Sequence, residues 1–560
     1  MHNLRFRWLA VLLALLFFAA ACGGETTGDS GDGADGGTTT QPRATAEDDT
    51  TEADPGDGGD APTTTASDAA DDATGDDMPE PGAEPEPNIY DDPRGGVFAA
   101  FQQGFDRGDH PFLQYDAFCV AHDPAADRVD TDDGISADSI KVGHIRSRLE
   151  DAARIGFAVP VGDPKEMFEV FIDYINEECG GIRGRMLDLG YAEAELLGDD
   201  VEVSRNAACL AMTEDHKSVI VMNSTGFQGT ANVCLVVEQE TIFISTQGQT
   251  EAFMAGGNDR LLSLSPTLEE SLRFMVTESL DSGAFDGLTL GVAAPDTPGQ
   301  AEAVEEALVI PLRDAGFEVV FDVINCGGTT ICFGGGPESV TNMVNAGVNG
   351  FFNVLNIISA PGYIAEMANQ GYEPGDVQFF ASDFNSQTSE LVAGKITENV
   401  GAGNLYNGAK IIDFRTTGEY RDPAFEPNPM ADMCNRLYSE NSPSGAGHDW
   451  RDLGDSAYGM VGSVCGIVRI MARGLYDAGD NPTVADVQEA IANLGPVDNN
   501  AMSPASIRPG KTAMADVIQT LDFSFPCYQP LPFERADDPD EEPDKAICIT
   551  GRNDFRPAPR

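Results

Sequence analysis

Positive charge is scarce in this chain: 33 Lys and Arg stand against 93 Asp and Glu, a formal net charge of −60. A body of that sign repels phosphate backbones and anionic membrane surfaces, so nucleic acid is not expected as a partner. The 6 histidines are scattered, and none of the 11 cysteines stands in a CxxC pair, so the usual ligand spacing of a metal site is missing. There is no GxSxG elbow for a serine hydrolase. "LGDS" (453–456) sits where a helix begins and reads as a cap. "GKT" (510–512) ends like a phosphate-binding loop, but Ala505 stands where that pattern needs its first glycine. His144 is the one histidine near a strand end in the first half, without evident partners as a base. No catalytic constellation emerges, and no cofactor or metal is expected.

Long apolar runs are also missing, except at the start. Arg5 and Arg7 precede the unbroken apolar stretch Trp8–Ala21, which is short for a bilayer span and reads as an export signal. The small residues of "FAAAC" directly before Cys22 resemble a bacterial lipobox, in which Cys22 carries the lipid and becomes the mature N-terminus. Residues 23–95 are Gly, Thr, Asp, Ala and Pro with few large apolar side chains, a composition that cannot offset chain entropy and predicts a disordered acidic spacer. Residues 96–133 read as an irregular N-terminal arm. The reading is of an exported body tethered to the outer face of the cytoplasmic membrane.

With Cys22 set aside, ten cysteines remain, an even number that suggests disulfides in an exported chain. Separation along the chain favours Cys209–Cys234, Cys326–Cys332, Cys434–Cys465 and Cys527–Cys548, leaving Cys119 with Cys179. Closing the Cys209–Cys234 loop is worth about 3 kcal/mol in the chain-entropy model.

From Gly134 onward the pattern alternates. Strands are predicted at 139–145, 186–191, 218–224 and 241–246, with helices at 165–179, 203–213 and 229–239 between them. After "LLSLSPT" (261–267) a second series begins. Helices at 268–280, 299–315, 337–346 and 360–370 interleave with strands at 288–295, 318–324, 350–356 and 377–383. Further helices are predicted at 430–438, 455–475 and 484–494. Repeated β-helix-β units of this length indicate parallel sheets flanked by helices, here two α/β lobes in tandem.

"YINEECGGIRGRMLDLGYAE" (174–193) carries a helix, a glycine stop and a strand in immediate succession. It resembles the type I periplasmic binding proteins, specifically the branched-chain amino-acid (Leu/Ile/Val) branch of ABC-transporter substrate-binding lipoproteins. "DDGISADSIKVGHI" (132–145) is similar to that family's first strand and lead-in, and "DTPGQAEAVEEALVIPLRDAG" (296–316) to the motif and helix opening its second lobe. The resemblance implies two Rossmann-like lobes joined by a hinge: 134–264 plus 403–510 as lobe 1, 265–402 plus 511–530 as lobe 2, and 531–560 as a C-terminal tail. It implies a monomer that captures a small polar ligand, an amino acid or amide, between the lobes for an ABC permease. A ligand sensor of the same fold is the alternative; an extracellular hydrolase is disfavoured because no triad is visible.

Carried over by position, the resemblance puts Ser224 and Thr225 in the serine-bearing loop that holds a ligand carboxylate. Gln247 and Gln249 fall in the next loop, and Asp296 at the entrance from lobe 2. Asp383 and Asn385 fall where an acidic or polar group meets an ammonium. The chain departs from the family pattern at Met222-Asn223, Thr246 and Pro298, where Gly-Pro, proline and an aromatic are usual. Arg146, after the first strand, is a further candidate for clamping a carboxylate; a rim ion pair with Glu150 or Asp151 is the competing reading.

Overall fold

The structure is a computed structural model that describes residues 112, 118, 127–157, 161–198, 201–227, 230–326, 332, 336–382, 390–415, 429–444, 457–497, 505–528, 547–552 and 554–559. The export signal, Cys22, the acidic spacer, Cys119, Asp383 and Asn385 lie outside these residues.

Two sheets organise the body. The first contains β1 (Ser139–Ser147), β2 (Met186–Ala194), β3 (Ile220–Asn223), β4 (Ile242–Ser245) and β5 (Leu261–Ser263) in the order β2-β1-β3-β4-β5. All of its pairings are parallel. The second contains β6 (Leu290–Pro295), β7 (Val319–Ile324), β8 (Gly350–Asn353), β9 (Gln378–Ser382) and β10 (Lys410–Asp413), again parallel. The paired strands β11 (Gly495–Pro496) and β12 (Ser506–Ile507) stand apart from both sheets. β13 (Val517–Tyr528) then joins β10 antiparallel, and β14 (Ile547–Gly551) and β15 (Arg556–Pro557) pair with β13. The central strands β3, β4, β6 and β8 are buried along their whole length, as expected of strands covered on both faces.

Two boundaries differ from the sequence expectation. Residues 403–413 were assigned to lobe 1, but β10 pairs with β9 and β13, and Leu405 and Tyr406 pack in the lobe 2 core. Burial beside Phe379 and Phe523 places this segment, at ring-centroid distances of 5.0 and 4.9 Å from Tyr406. Residues 531–560 were expected as a tail, yet β14 and β15 extend the second sheet and satisfy the free edge of β13. From the expected arm, Phe112 and Phe118 are buried in the lobe 1 core, where Phe118 stacks 5.7 Å from Phe171.

The four disulfides expected from separation are present: Cys209–Cys234, Cys326–Cys332, Cys434–Cys465 and Cys527–Cys548. Cys179 is also disulfide-bonded.

The helix-to-strand joint is held by two arginines. Helix Pro164–Cys179 buries Met167, Phe168, Phe171, Ile172 and Ile175, and stops at Gly180, whose left-handed backbone lets the Gly181 N–H return to Ile175 O at 3.0 Å. Gly181 also has positive φ, and a side chain there would collide with the Arg185 carbonyl. Arg183 then donates to the Tyr476 carbonyl at 2.6 Å and pairs with Asp480 at 2.7 Å. Arg185 is fully buried and donates to the carbonyls of Ser136 (2.8 Å), Val129 (3.1 Å) and Asp480, and to Asn481 Oδ1 (2.9 Å). The joint thus nails the lead-in to β1 onto the end of helix Ala457–Asp477. It is a fastening and stands at the amino end of β1.

Candidate functional site

Both series of strands carry their loops at the carboxyl ends, where ligands bind in open α/β sheets. The chain passes between the lobes beside β5: Ser263 N–H donates to Thr512 O at 3.0 Å, and Met514 N–H returns to Ser263 O at 2.9 Å. The residues that follow β5 lead into helix Leu268–Asp281, opened by the Thr267–Glu270 capping box. Lys511, the lysine of the "GKT" decoy, is buried here; its Nζ meets Asp516 at 3.0 Å and the Met514 carbonyl at 2.7 Å. It is a structural cation of this crossing, which accounts for the residue without a nucleotide.

The loops after β3 and β4 interlock. Asn223 donates to Ile145 O at 2.7 Å and accepts from Thr225 N–H at 2.9 Å. Ser147 Oγ donates to Thr225 O, and Thr246 Oγ1 to Ser224 O, each at 2.6 Å. Gln247 N–H reaches Ser245 Oγ at 3.1 Å, and its carbonyl accepts from Ser263 Oγ at 2.7 Å. These bonds fix the backbone of residues 223–225 and 245–247, and leave the tips of certain side chains unused. Ser224 Oγ and Thr225 Oγ1 are buried with no hydrogen-bond partner. So is Gln249 Nε2, while Gln249 Oε1 accepts from Asn232 Nδ2 at 2.8 Å. A buried donor or acceptor left unpaired costs about 1–3 kcal/mol, so such a concentration at two adjacent strand ends calls for a partner.

Neither hydroxyl of Ser224 and Thr225 is spent on capping a helix. Gln247 contributes through its backbone, with a half-buried side chain. Asp296, at the end of β6, accepts from Cys326 N–H at 2.8 Å and so braces the disulfide loop after β7. Arg146 forms ion pairs with Glu150 and with Glu193 (3.2 Å), on the side of β1 that faces helix Pro164–Cys179. Ser147, one residue on, is the side chain of β1 that reaches the serine loop, because neighbouring side chains of a strand point to opposite faces. His144 is buried under the same helix, its ring 4.1 Å from Phe168. Burial, reinforced by the charges of Arg146 and Lys165, lowers its pKa to about 3, so it stays neutral.

Three contributors went unseen in the sequence: Ser147, Asn232 and Gln300. Gln300 opens helix Gln300–Val304 of the second lobe, and its Oε1 is buried and unpaired. A Cβ on the preceding Gly299 (φ +80°) would lie 3.4 Å from Phe253 and 3.8 Å from Thr250 Oγ1, so the lobes approach each other here, next to Gln249. Glu269 ties the same region: it accepts from Glu251 N–H at 3.0 Å, and burial raises its pKa to about 7. The depression lined by Asp130, Asp132 and Lys141 lies at the amino end of β1. Its carboxylates are engaged, Asp130 with Ala137 N–H (2.7 Å) and Asp132 with Val484 N–H (2.8 Å).

No protein-family model and no curated protein sequence matches the chain. Solved structures do. A fatty acid ABC transporter substrate-binding protein from Thermomonospora curvata is 13% identical, with a TM-score of 0.51 over 77% of this chain and 96% of that one. A solute binding protein of an ABC transporter from Rhodopseudomonas palustris HaA2, in complex with p-hydroxybenzoic acid, is 14% identical, with a TM-score of 0.50 over 75% and 98%. The fold of this chain is that of the type I periplasmic binding proteins.

Proposed function

We propose that the chain is an extracytoplasmic solute-binding lipoprotein, lipidated at Cys22, that captures a small polar ligand between its lobes and hands it to an ABC-type importer. The observation that carries this reading is the set of buried, unpaired polar atoms at the ends of β3 and β4: Ser224 Oγ, Thr225 Oγ1 and Gln249 Nε2. Two hydroxyls and an amide N–H are the donors a ligand carboxylate would take up in a site shielded from water. Hinge motion about the crossings beside β5 would bring Gln300 onto the opposite side of that ligand; the family resemblance adds Asp383 as the partner of a ligand ammonium. No bond is made or broken. The likeness to ABC-transporter solute-binding proteins supports the role; among the described residues, no helix is long and apolar enough to cross a membrane.

A thermal-shift screen of the full chain against amino acids, amides and small carboxylates tests this. A ligand at 100 times its Kd adds about 2.7 kcal/mol to stability. Asp383→Ala should abolish the shift for an amine-bearing ligand while the free protein stays folded; an unchanged shift removes Asp383 from the site. A binder whose shift is indifferent to Ser224→Ala with Thr225→Val would move the site elsewhere.

A further inference from the structure

Asn232 and Gln249 are joined at one end only. Asn232 Nδ2 donates to Gln249 Oε1 at 2.8 Å, which leaves Asn232 Oδ1 and Gln249 Nε2 buried and without partners. The pair therefore presents one acceptor and one donor. Exchanging oxygen and nitrogen in both amides reverses which residue plays which part and leaves the same presentation, so the conclusion does not depend on how the amides are oriented.

Two amides that brace this fold use both of their ends. Asn176 uses both ends on Leu187, donating to its carbonyl at 2.9 Å and accepting from its N–H at 2.7 Å. Asn223 does the same between Ile145 and Thr225. Asn232 and Gln249, at 0% and 3% exposure, are buried more deeply than Asn176 and to the level of Asn223, yet half of their capacity is unused. Gln300, 4% exposed, adds a further unpaired amide oxygen from the second lobe, next to the point where Gly299 meets Thr250 and Phe253.

We infer that Asn232, Gln249 and Gln300 select a ligand that carries, alongside its carboxylate, an uncharged group able both to donate and to accept a hydrogen bond, a carboxamide or a hydroxyl. The inference rests on the proposed solute-binding role of these strand ends and adds the class of solute. A charged group set against three neutral amides would lose its hydration without gaining a counter-charge. An apolar group would leave the amides unpaired, and sites built to hydrogen-bond reject such analogues strongly. The set thus discriminates in both directions.

The test is calorimetric titration of the full chain with matched carboxylates. Glutamine and asparagine are compared with glutamate, lysine and leucine, and 4-hydroxybenzoate with benzoate and terephthalate. The expected result is at least tenfold tighter binding of a carboxamide or hydroxyl compound than of its charged and apolar counterparts. Asn232→Leu and Gln300→Met should each erase most of that preference. Gln300→Met keeps chain length and volume, so it stays informative if Asn232→Leu fails to fold. Tighter binding of a charged or apolar counterpart, still abolished by Ser224→Ala with Thr225→Val, would overturn the amide inference and leave the solute site standing. Absence of binding by every compound would overturn both.

Discussion

The two sheets of this molecule end in loops that treat their polar groups differently. At the carboxyl ends of β3 and β4, the hydroxyls of Ser224 and Thr225 and the amide of Gln249 are buried and unpaired. At the carboxyl ends of β6 and β10 in the second lobe, the acidic side chains turn back onto their own chain. Asp296 accepts from Cys326 N–H at 2.8 Å, and Asp413 accepts from Phe414 N–H at 2.6 Å and from Arg415 Nε at 3.1 Å. A loop that satisfies its own polar atoms is rigid and self-sufficient; one that leaves them unpaired is held in readiness for something else. In the proposed function the first lobe therefore grips the ligand and the second closes over it, with Gln300 as its main reach.

Buried titratable groups sharpen the contrast, because each lobe carries one of opposite sign. His144 in the first lobe has its pKa lowered to about 3, mainly by burial. Its folded value lies below the unfolded 6.5, so the unfolded state binds the proton first and stability falls as pH drops below about 6.5. The loss runs at about 1.4 kcal/mol per pH unit and reaches about 4–5 kcal/mol near pH 3. His144→Phe should flatten the acid limb of unfolding free energy against pH; an unchanged limb would show that His144 takes no part in it.

Glu269 in the second lobe behaves in reverse. Burial raises its pKa to about 7, so its contribution is complete below about 4.5 and is lost as pH rises through 7, by about 3 kcal/mol in full. Glu269→Gln keeps an acceptor for Glu251 N–H without the charge. It should leave stability at pH 4 unaltered and raise it at pH 8, as read by urea unfolding. Equal effects at both pH values would contradict the assignment.

The disulfides divide the lobes again. Cys209–Cys234 closes a loop of 25 residues in the first lobe and Cys326–Cys332 one of 6 in the second. Chain entropy predicts losses of about 3 and about 2 kcal/mol on replacing each pair by alanine. Urea unfolding of the two double variants gives the order; a reversed order would place native-state contacts above chain entropy.

Much of this was legible in the sequence. The periodicity of 165–179 and 455–475 located two core helices, and the Gly180-Gly181 stop located the joint, because helix and turn chemistry are local. What escaped depends on distant partners. β14 joins the second sheet only because β13 offers it an edge. The segment 390–406 has a weak apolar stripe, and Gly403 lies close against the Phe525 ring, a contact made across the sequence. At the site, Ser224, Thr225 and Gln249 could be named from the family resemblance. Asn232, Ser147 and Gln300 could not, since their relevance comes from which atoms remain unpaired after folding. Arg146 is the complementary case: the ion pair with Glu150 weighed against a clamp is present, joined by Glu193, and satisfies it.

The smallest expected change in stability bears most directly on the account. Ser224→Ala combined with Thr225→Val removes two buried hydroxyls that lack partners; Val puts a methyl where Thr225 had its hydroxyl, and Ala deletes the Ser224 oxygen alone. Unfolding free energy of the ligand-free variant, measured beside the stabilisation produced by a bound carboxylate, separates the alternatives. The account predicts ligand-free stability unchanged or raised by up to about 1 kcal/mol, with the ligand's stabilisation gone. Ligand-free stability lowered by more than about 1 kcal/mol, with the stabilisation intact, would mean that these hydroxyls hold the loop and not the solute.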